Sequence, residues 1–189
     1  MMEYLICNNG AIVVTGSIDL TGTKLPELPR FGMRMELHQP YENLVYYGRG
    51  PFENYIDRYS SSFIGRYEDK VENQFYWYIR PQETGNKTDV RWLALLNSEG
   101  EGVKITGLQP IAFSALHFSP EDLDPGLTRK LQHTIDIVPQ KNIFLHVDLK
   151  QRGLGGDNSW GMYPYNKYRL LDKKYVYSYM IELVEKNSD

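Results

Sequence analysis

The chain of 189 residues is predicted to fold as an all-β protein, an antiparallel β-sandwich. Apolar and polar residues alternate with a period of two in many short runs. Clusters of glycine, proline, asparagine and aspartate separate these runs, and helix-start signals occur at one position along the chain. The length suits one domain with a sizeable core. Residues 1–189 are therefore expected to form a single β-sandwich domain.

The predicted strands begin with a hairpin, because Asn8-Asn9-Gly10 lies between two strand-like runs and Asn-Gly accepts positive φ angles. The last strand is the clearest, with Tyr175, Tyr177 and Tyr179 on one face and Val176 on the other. The predicted strands cover residues 2–7, 11–20, 32–39, 44–47, 74–79, 89–97, 103–106, 111–118, 131–138, 142–149 and 175–184.

The remaining segments are predicted to be turns, loops and one short helix. Residues 48–51 are expected to form an irregular turn, and residues 52–72 an ordered loop, because their charges show little periodicity. Ser119-Pro120-Glu121-Asp122 predicts a helix start, with serine at the N-cap and proline at the first position. Pro125-Gly126 is expected to stop that helix within about two turns.

Composition excludes several classes of function. The net charge is −3 with acidic and basic residues interleaved, which argues against a nucleic-acid partner. No apolar run reaches the length of a membrane span, so no membrane partner is expected, and the first residues show no signal-peptide pattern. Cys7 is the single cysteine, so no internal disulfide or cysteine-based metal site is predicted. The 15 tyrosines suit either a carbohydrate site or a β-protein without a ligand.

The segment 152–161 is predicted to be a shaped loop, because it holds four glycines. It contains Asp157 and Asn158 and ends near Trp160. Such a tryptophan commonly fills a core between turns, but it can also form a platform for a flat, partly apolar ligand such as a sugar. Spacing alone leaves both interpretations open.

A tyrosine-rich β-domain suggests a glycosidase, which needs two carboxylates about 5–10 Å apart. The candidates in loops are Glu53, Asp57, Glu83, Asp89 and Asp157, but no local pattern demands catalysis. Asp57 and Arg58 fit a charge network that fixes a loop better than a catalytic pair. The loop 81–87, which contains Glu83, suits a sugar-facing rim and a capped turn equally well.

Three segments, residues 48–58, 78–85 and 154–160, resemble the C-terminal domain of the glycoside hydrolase family 2 β-galactosidases in order and spacing. The resemblance implies an antiparallel super-sandwich of the galactose mutarotase-like kind. It also implies an enzyme that hydrolyses terminal β-D-galactosides with retention. Two glutamates and bound magnesium and sodium would perform that reaction in a separate (β/α)₈ barrel domain. Nothing in this chain matches the barrel, so no catalytic residue, metal or cofactor is expected here.

The resemblance assigns Trp160 to the wall of the sugar site at the mouth of the barrel, with Asp157 and Asn158 beside it as substrate-binding residues. The expected partners are a galactoside, the barrel domain and, because missing strands would expose a sheet edge, a second copy of the chain. The domain of the family is longer on its N-terminal side, so this chain is expected to represent its later part. The bacterial cytoplasm is favoured over the periplasm.

Two alternatives to the β-galactosidase interpretation stay open. A stand-alone carbohydrate-binding module would use the tyrosine and tryptophan surface. A mutarotase-type epimerase would need a carboxylate base and a histidine acid, and the sequence pairs no histidine with Glu83 or Asp157.

Overall fold

The computed structural model describes residues 1–124, 126, 133–158 and 161–186. Within these residues the chain forms a β-sandwich in which nine antiparallel strands share one branched sheet. It also has one short α-helix, α1 (Pro120–Leu123), and 3₁₀ helices at Val71–Gln74, Thr134–Asp136 and Asn166–Tyr168. The predicted all-β fold class is confirmed. The strands are β1 (Met2–Ile6), β2 (Ile12–Asp19), β3 (Arg30–Leu37), β4 (Asn43–Gly50), β5 (Phe63–Lys70), β6 (Lys87–Leu96), β7 (Gly102–Leu116), β8 (Ile143–Gln151) and β9 (Lys174–Val184).

The sheet branches at β7, which is 15 residues long. One side of β7 pairs with β6, and β6 continues the sheet through β4 to β5. On the other side, residues 102–107 pair with β9, while residues 112–116 pair with β8. The β9 branch continues through β2 to β1, and the β8 branch ends at β3. The two branches can therefore face one another across a shared core.

The core lies between these branches. The β9 tyrosines point inward as their alternation predicts, and Tyr179 is fully buried. Phe31 of β3 packs against Tyr175 and Tyr177, with ring centroids 5.6 and 5.5 Å apart. The Tyr177 hydroxyl donates a hydrogen bond to the Val147 carbonyl oxygen across the core (3.0 Å). Aromatic packing thus connects β9 to β3, and the Tyr177 hydrogen bond connects β9 to β8.

Three predicted boundaries in the first half of the chain are wrong. Residues 48–51 are not a turn, because β4 continues through Gly50. Part of the predicted loop 52–72 is β5, which pairs with the whole of β4. Most side chains of β5 are exposed and several are charged, so the strand lacks the apolar alternation that would reveal it. Residues 74–79 are not a strand, and the Thr84 hydroxyl accepts a hydrogen bond from the Tyr76 amide there (3.0 Å).

Two differences occur later in the chain. The predicted strands 103–106 and 111–118 are one continuous strand, β7. The predicted strand 131–138 is a single 3₁₀ turn at Thr134–Asp136 in its described part, while residues 131 and 132 lie outside the described residues. The predicted helix start is confirmed as a capping box, because Ser119 and Asp122 cap each other's backbone amides.

Candidate functional site

Glu53 connects two of the three segments singled out in the sequence. Its side chain is 9% exposed and lies after the end of β4. One carboxylate oxygen accepts hydrogen bonds from Arg58 Nη2 (2.5 Å) and from the Tyr78 hydroxyl. The other accepts from the Gly85 amide (2.8 Å) and the Thr84 hydroxyl (3.1 Å). Glu53 therefore fixes the segment 78–85 against the segment 48–58.

Asn54 strengthens the same junction from inside the protein. Its side chain is fully buried, and its amide nitrogen donates to the carbonyl oxygens of Arg49 and Phe52. Its amide oxygen accepts from the backbone (2.9 Å) and hydroxyl (2.5 Å) of Thr88 at the start of β6. Every polar atom of this buried side chain has a partner, so the loop after β4 has a defined position.

Asp57 contacts the third of these segments, residues 154–160. Its Oδ2 accepts a hydrogen bond from the Gly155 amide (2.7 Å). The backbone of Gly153 also lies against this carboxylate, since a Cβ atom added there would be 2.5 Å from Oδ2. A side chain at position 153 would therefore displace the carboxylate. Asp57 thus sets the position of the glycine loop that leads to Asp157.

A cleft of about 560 Å³ opens beside this contact. The residues that line it include Asp57, Asp157, Tyr163 and Arg169. The Arg169 guanidinium lies 4.3 Å from the centre of the Tyr163 ring, within the range of a cation–π contact. The cleft therefore combines carboxylates with aromatic surface.

Glu27 positions the arginine at this cleft. Its side chain is 7% exposed and accepts hydrogen bonds from Arg169 Nε (2.5 Å) and Arg152 Nη1 (3.0 Å). Burial opposes ionisation of Glu27, but the hydrogen bonds from Arg169 and Arg152 outweigh it and lower the pKa of the carboxyl group. The negative charge of Glu27 thus keeps both guanidinium groups beside Tyr163.

Glu83 lies in a second polar cluster, which is centred on Arg30. Arg30 Nη2 donates to Glu83 Oε1 (2.8 Å) and to Gln151 Oε1 (2.6 Å). Arg30 Nη1 lies 2.9 Å from His146 Nδ1, and Arg30 Nε lies 3.0 Å from Asp148 Oδ2. The arginine can only donate, so His146 Nδ1 is the acceptor in this contact. Glu83 and His146 thus share one guanidinium group.

Burial shifts the pKa values in the Arg30 cluster. Asp148 is fully buried, and desolvation raises the pKa of its carboxyl group to about 7, although Arg30 opposes the shift. Burial, together with the charges of Arg30 and Arg34, lowers the pKa of His146 to about 4. Burial also raises the pKa of Glu83. The histidine is therefore neutral at pH 7, and the cluster carries less charge than its composition suggests.

The predicted site residues divide into three groups. Glu53 and Arg58 belong to the first junction, Asp57 and Asp157 line the cleft, and Glu83 lies in the Arg30 cluster. Asn158 is exposed in the glycine loop. Trp160 lies outside the described residues, as does Ser159.

Two other kinds of feature, a metal cluster and a membrane-spanning helix, are absent from the described part of the chain. No group of three histidine, cysteine, aspartate or glutamate side chains there is arranged to hold a metal ion. None of the helices in the same residues has the length and apolar content needed to cross a membrane.

Sequence analysis missed Arg30, His146, Asp148 and Glu27. His146 and Asp148 alternate with core residues along β8, so period two alone places them on an outer face. That face is nevertheless covered, since Asp148 is fully buried. Glu27 lies in a connection between strands, where one carboxylate carries no periodic signal. Only the tertiary structure brings these residues together.

Comparisons with known proteins match this chain to β-galactosidases. Residues 1–181 match the family described as "Beta galactosidase small chain". The chain is 35% identical to a β-galactosidase of Priestia megaterium over 169 residues, which are 89% of this chain and 16% of that protein. It is 33% identical to a β-galactosidase of Streptococcus thermophilus over 183 residues, 96% of this chain and 17% of that protein. β-Galactosidase BgaC of Bifidobacterium adolescentis is 34% identical, over 84% of this chain and 15% of its own length. The chain thus spans about one sixth of these relatives.

Proposed function

The chain belongs to the beta galactosidase small chain family, and on this premise we propose that it forms one part of a β-galactosidase that hydrolyses terminal β-D-galactosides. In this proposal the chain supplies structure and a sugar-stacking residue, Trp160. The catalytic glutamates belong to a (β/α)₈ barrel domain elsewhere in the full enzyme. The proposal is supported by relatives named β-galactosidase, of which the matched region is about one sixth.

The observation that carries the proposal is the contact between Asp57 and the glycine loop. The 2.7 Å hydrogen bond from the Gly155 amide holds the loop beside the cleft. A loop fixed at its base can present Asp157 and Asn158 at a defined place, and such preorganisation lowers the entropic cost of binding a sugar. Asp157, Asn158 and Trp160 are our proposed substrate contacts, with stacking on the tryptophan ring as the main contribution.

We also propose that the fold is the galactose mutarotase-like super-sandwich of a family 2 enzyme, and that this chain corresponds to the later part of that domain. Magnesium and sodium would then be bound by the barrel domain. In this arrangement Glu53, Arg58 and Glu83 have structural roles, because their charged groups are already engaged with neighbouring side chains.

Two measurements test whether catalysis belongs to the barrel domain and whether this chain supplies only part of the sugar site. The purified chain, incubated alone with a chromogenic β-galactoside, is expected to show no turnover above a buffer control. Robust hydrolysis by the pure protein would contradict the proposal. Titration with galactose and lactose, followed by isothermal calorimetry, is expected to show only very weak binding, since the barrel side of the sugar site is absent.

The cleft favours one alternative, a stand-alone carbohydrate-binding module. Its volume of about 560 Å³ and its lining by Tyr163, Tyr165 and Tyr168 suit a sugar ring without help from another domain. In that case galactosides or longer glycans would bind tightly to the chain alone, and Trp160→Ala would abolish the binding. Tight binding would thus favour the module over the partial enzyme.

A further inference from the structure

The segment from Gly153 to Tyr168 leaves the sandwich and returns to the same place. It starts just after the end of β8, and the Gly153 amide donates a hydrogen bond to the Tyr168 carbonyl oxygen (2.8 Å). Its length and its adjoining ends are those of an Ω-loop, a surface loop of roughly 6–16 residues. We call residues 153–168 the Ω-loop. Asp157, Tyr163 and, in the sequence, Trp160 all fall within it, so the proposed sugar contacts share one base.

The connection before β3 lies beside both ends of the Ω-loop. The Arg152 amide donates a hydrogen bond to the Pro29 carbonyl oxygen (2.8 Å), and Leu28 forms an isolated β-bridge with Leu170. These contacts involve only backbone atoms, so they do not depend on the side chain at position 27. The base of the Ω-loop therefore stays closed when the charge of Glu27 is removed.

Glu27 adds a second connection, which reaches into the Ω-loop. Its side chain is 7% exposed. One carboxylate oxygen accepts a hydrogen bond from Arg152 Nη1 (3.0 Å), and the other accepts from Arg169 Nε (2.5 Å). The guanidinium groups of Arg152 and Arg169 lie 5.6 and 4.3 Å from the centre of the Tyr163 ring, within the range of cation–π contacts. One buried carboxylate thus connects both ends of the Ω-loop to a ring inside it.

The two limbs of the Ω-loop also contact each other. Asp57 holds the first limb through the Gly155 amide (2.7 Å). A Cβ atom added to Gly156 would overlap the Met162 carbonyl oxygen, so the backbones of the two limbs touch at this point. Since Met162 precedes Tyr163, a displacement of the Tyr163 limb would also displace the limb that contains Asp157.

We propose that Glu27 is a positioning residue of the sugar site. Its negative charge holds Arg152 and Arg169, and through their contacts with Tyr163 it fixes the Ω-loop in the arrangement that binds the galactoside. This inference rests on the proposed function, because it takes the Ω-loop to be the substrate-binding loop. Glu27 acts through the two arginines, since its own side chain is buried and does not line the cleft.

Hydrogen exchange of the full chain tests this connection without any sugar. Glu27→Gln keeps the shape of the side chain but removes its charge, and the new amide nitrogen would face one of the guanidinium groups. Backbone amides of the Ω-loop are expected to exchange about tenfold faster in this variant, while those of β8 and β9 stay unchanged. The control is Glu99→Gln, which removes an exposed acid paired with Lys186 and should change neither set. Unchanged exchange in the Ω-loop would overturn the proposal.

A chimera tests the effect on substrate binding. In it, this chain replaces the matching region of the Priestia megaterium β-galactosidase. Glu27→Gln is expected to raise KM for a chromogenic β-galactoside about fivefold and to change kcat less than about twofold, because the Ω-loop contributes to binding. In a Trp160→Ala background the same substitution should have little further effect on KM, since the Ω-loop has then lost its main contact. Glu99→Gln should leave KM unchanged in both backgrounds.

Failure of this inference and failure of the proposed function give different results. If Trp160→Ala raises KM but Glu27→Gln does not, the inference is overturned while the proposed function stands. An equal effect of Glu27→Gln with and without Trp160 would also overturn the inference, because Glu27 would then act only on the fold. A KM that does not respond to Trp160→Ala would overturn the proposed role of the Ω-loop in sugar binding, and the role of Glu27 at that site with it.

Discussion

Glu53 uses one buried carboxylate to hold two loops that are distant in sequence. Its four donors come from Arg58, Tyr78, Thr84 and Gly85. A carboxylate accepts these bonds as an ion, and hydrogen bonds to charged groups are stronger than those between neutral groups. The position of the loop 78–85 thus depends on the charge and on the acceptor capacity of this residue.

We expect Glu53→Gln to lower the free energy of unfolding by about 2–3 kcal/mol, because the new amide group would present its own donors to Arg58 and Tyr78. Urea denaturation followed by fluorescence measures this change. The matched control is Glu68→Gln, which breaks an exposed ion pair with Arg66 and is expected to cost less than about 0.5 kcal/mol. Equal effects of the two substitutions would show that the hydrogen bonds of Glu53 contribute no more to stability than an exposed ion pair.

Asp148 makes stability depend on pH in an unusual direction. Burial raises the pKa of this carboxyl group from 3.8 to about 7, so the folded protein binds the proton more tightly than the unfolded chain. The contribution of Asp148 to stability therefore decreases as pH rises through the interval between these values. His146 has the opposite effect between pH 4 and 6.5, because its pKa is lowered to about 4.

The variant Asp148→Asn separates the effect of Asp148 on the pH dependence of stability from that of His146. Asparagine resembles the protonated carboxyl group, so the variant should avoid the cost of ionising Asp148 in the interior. The stability of the variant relative to the wild type is expected to be higher at pH 8 than at pH 5. Urea denaturation at both pH values measures the free energy of unfolding of each protein. The matched control is Asp172→Asn, the same substitution at an exposed position. A relative stability of Asp148→Asn that does not change with pH would contradict the assigned direction.

At the level of the strands, Gly48 shows how a motif can mislead sequence analysis. Residues 48–51 resemble a turn because of their glycines and proline, but Gly48 lies inside β4 and pairs with Gly65 of β5. A Cβ atom added to Gly48 would be 2.8 Å from the Val90 Cα atom of β6. The glycine is therefore needed for close packing between neighbouring strands.

We expect Gly48→Ala to destabilise the protein by about 1–3 kcal/mol, because the added methyl group meets backbone that cannot move easily. Its cross-strand partner supplies the control. A Cβ atom at Gly65 would meet only the Tyr67 ring, at 3.3 Å, so Gly65→Ala is expected to cost less than about 1 kcal/mol. Thermal unfolding followed by circular dichroism compares the two. A larger effect at Gly65 would contradict the packing interpretation.

The parts of the fold that follow from local pattern could be predicted from sequence. The hairpin at Asn8-Asn9-Gly10, the tyrosine face of β9 and the capped start of α1 all depend on neighbouring residues. β5 could not be predicted, because its exposed, charged side chains give no apolar alternation. The branch at β7 depends on contacts distant in sequence, which a period of two does not encode.

The candidate site was predictable to a similar extent. The segments that contain Glu53, Asp57 and Glu83 were found, but their partners were not. The contact between Asp57 and Gly155 joins residues 98 positions apart, and that between Arg30 and Glu83 joins residues 53 positions apart. Such pairings depend on the assembled sheet, so only the structure reveals them.

On the scale of the whole molecule, the loop after β4 holds the glycine loop beside the cleft through the contact between Asp57 and Gly155. If the glycine loop completes a galactoside site, its contribution to substrate binding can be measured only next to a catalytic domain. The Priestia megaterium β-galactosidase, which is 35% identical over the matched region, offers a suitable host. Replacement of that region by this chain gives a chimera with both parts of the proposed site.

We expect the chimera to hydrolyse a chromogenic β-galactoside, and Trp160→Ala in it to raise KM about tenfold, because one stacked aromatic ring contributes on the order of 1 kcal/mol. Trp160→Phe should recover part of this loss. Asp57→Ala is expected to raise KM as well, although Asp57 acts through the Gly155 amide, because the loop would no longer be held in place. Val176→Lys, on the outer face of β9, should leave KM unchanged. An unchanged KM in Trp160→Ala would remove the sugar-stacking role, while an inactive chimera of normal stability would count against the assignment of this chain as part of a β-galactosidase.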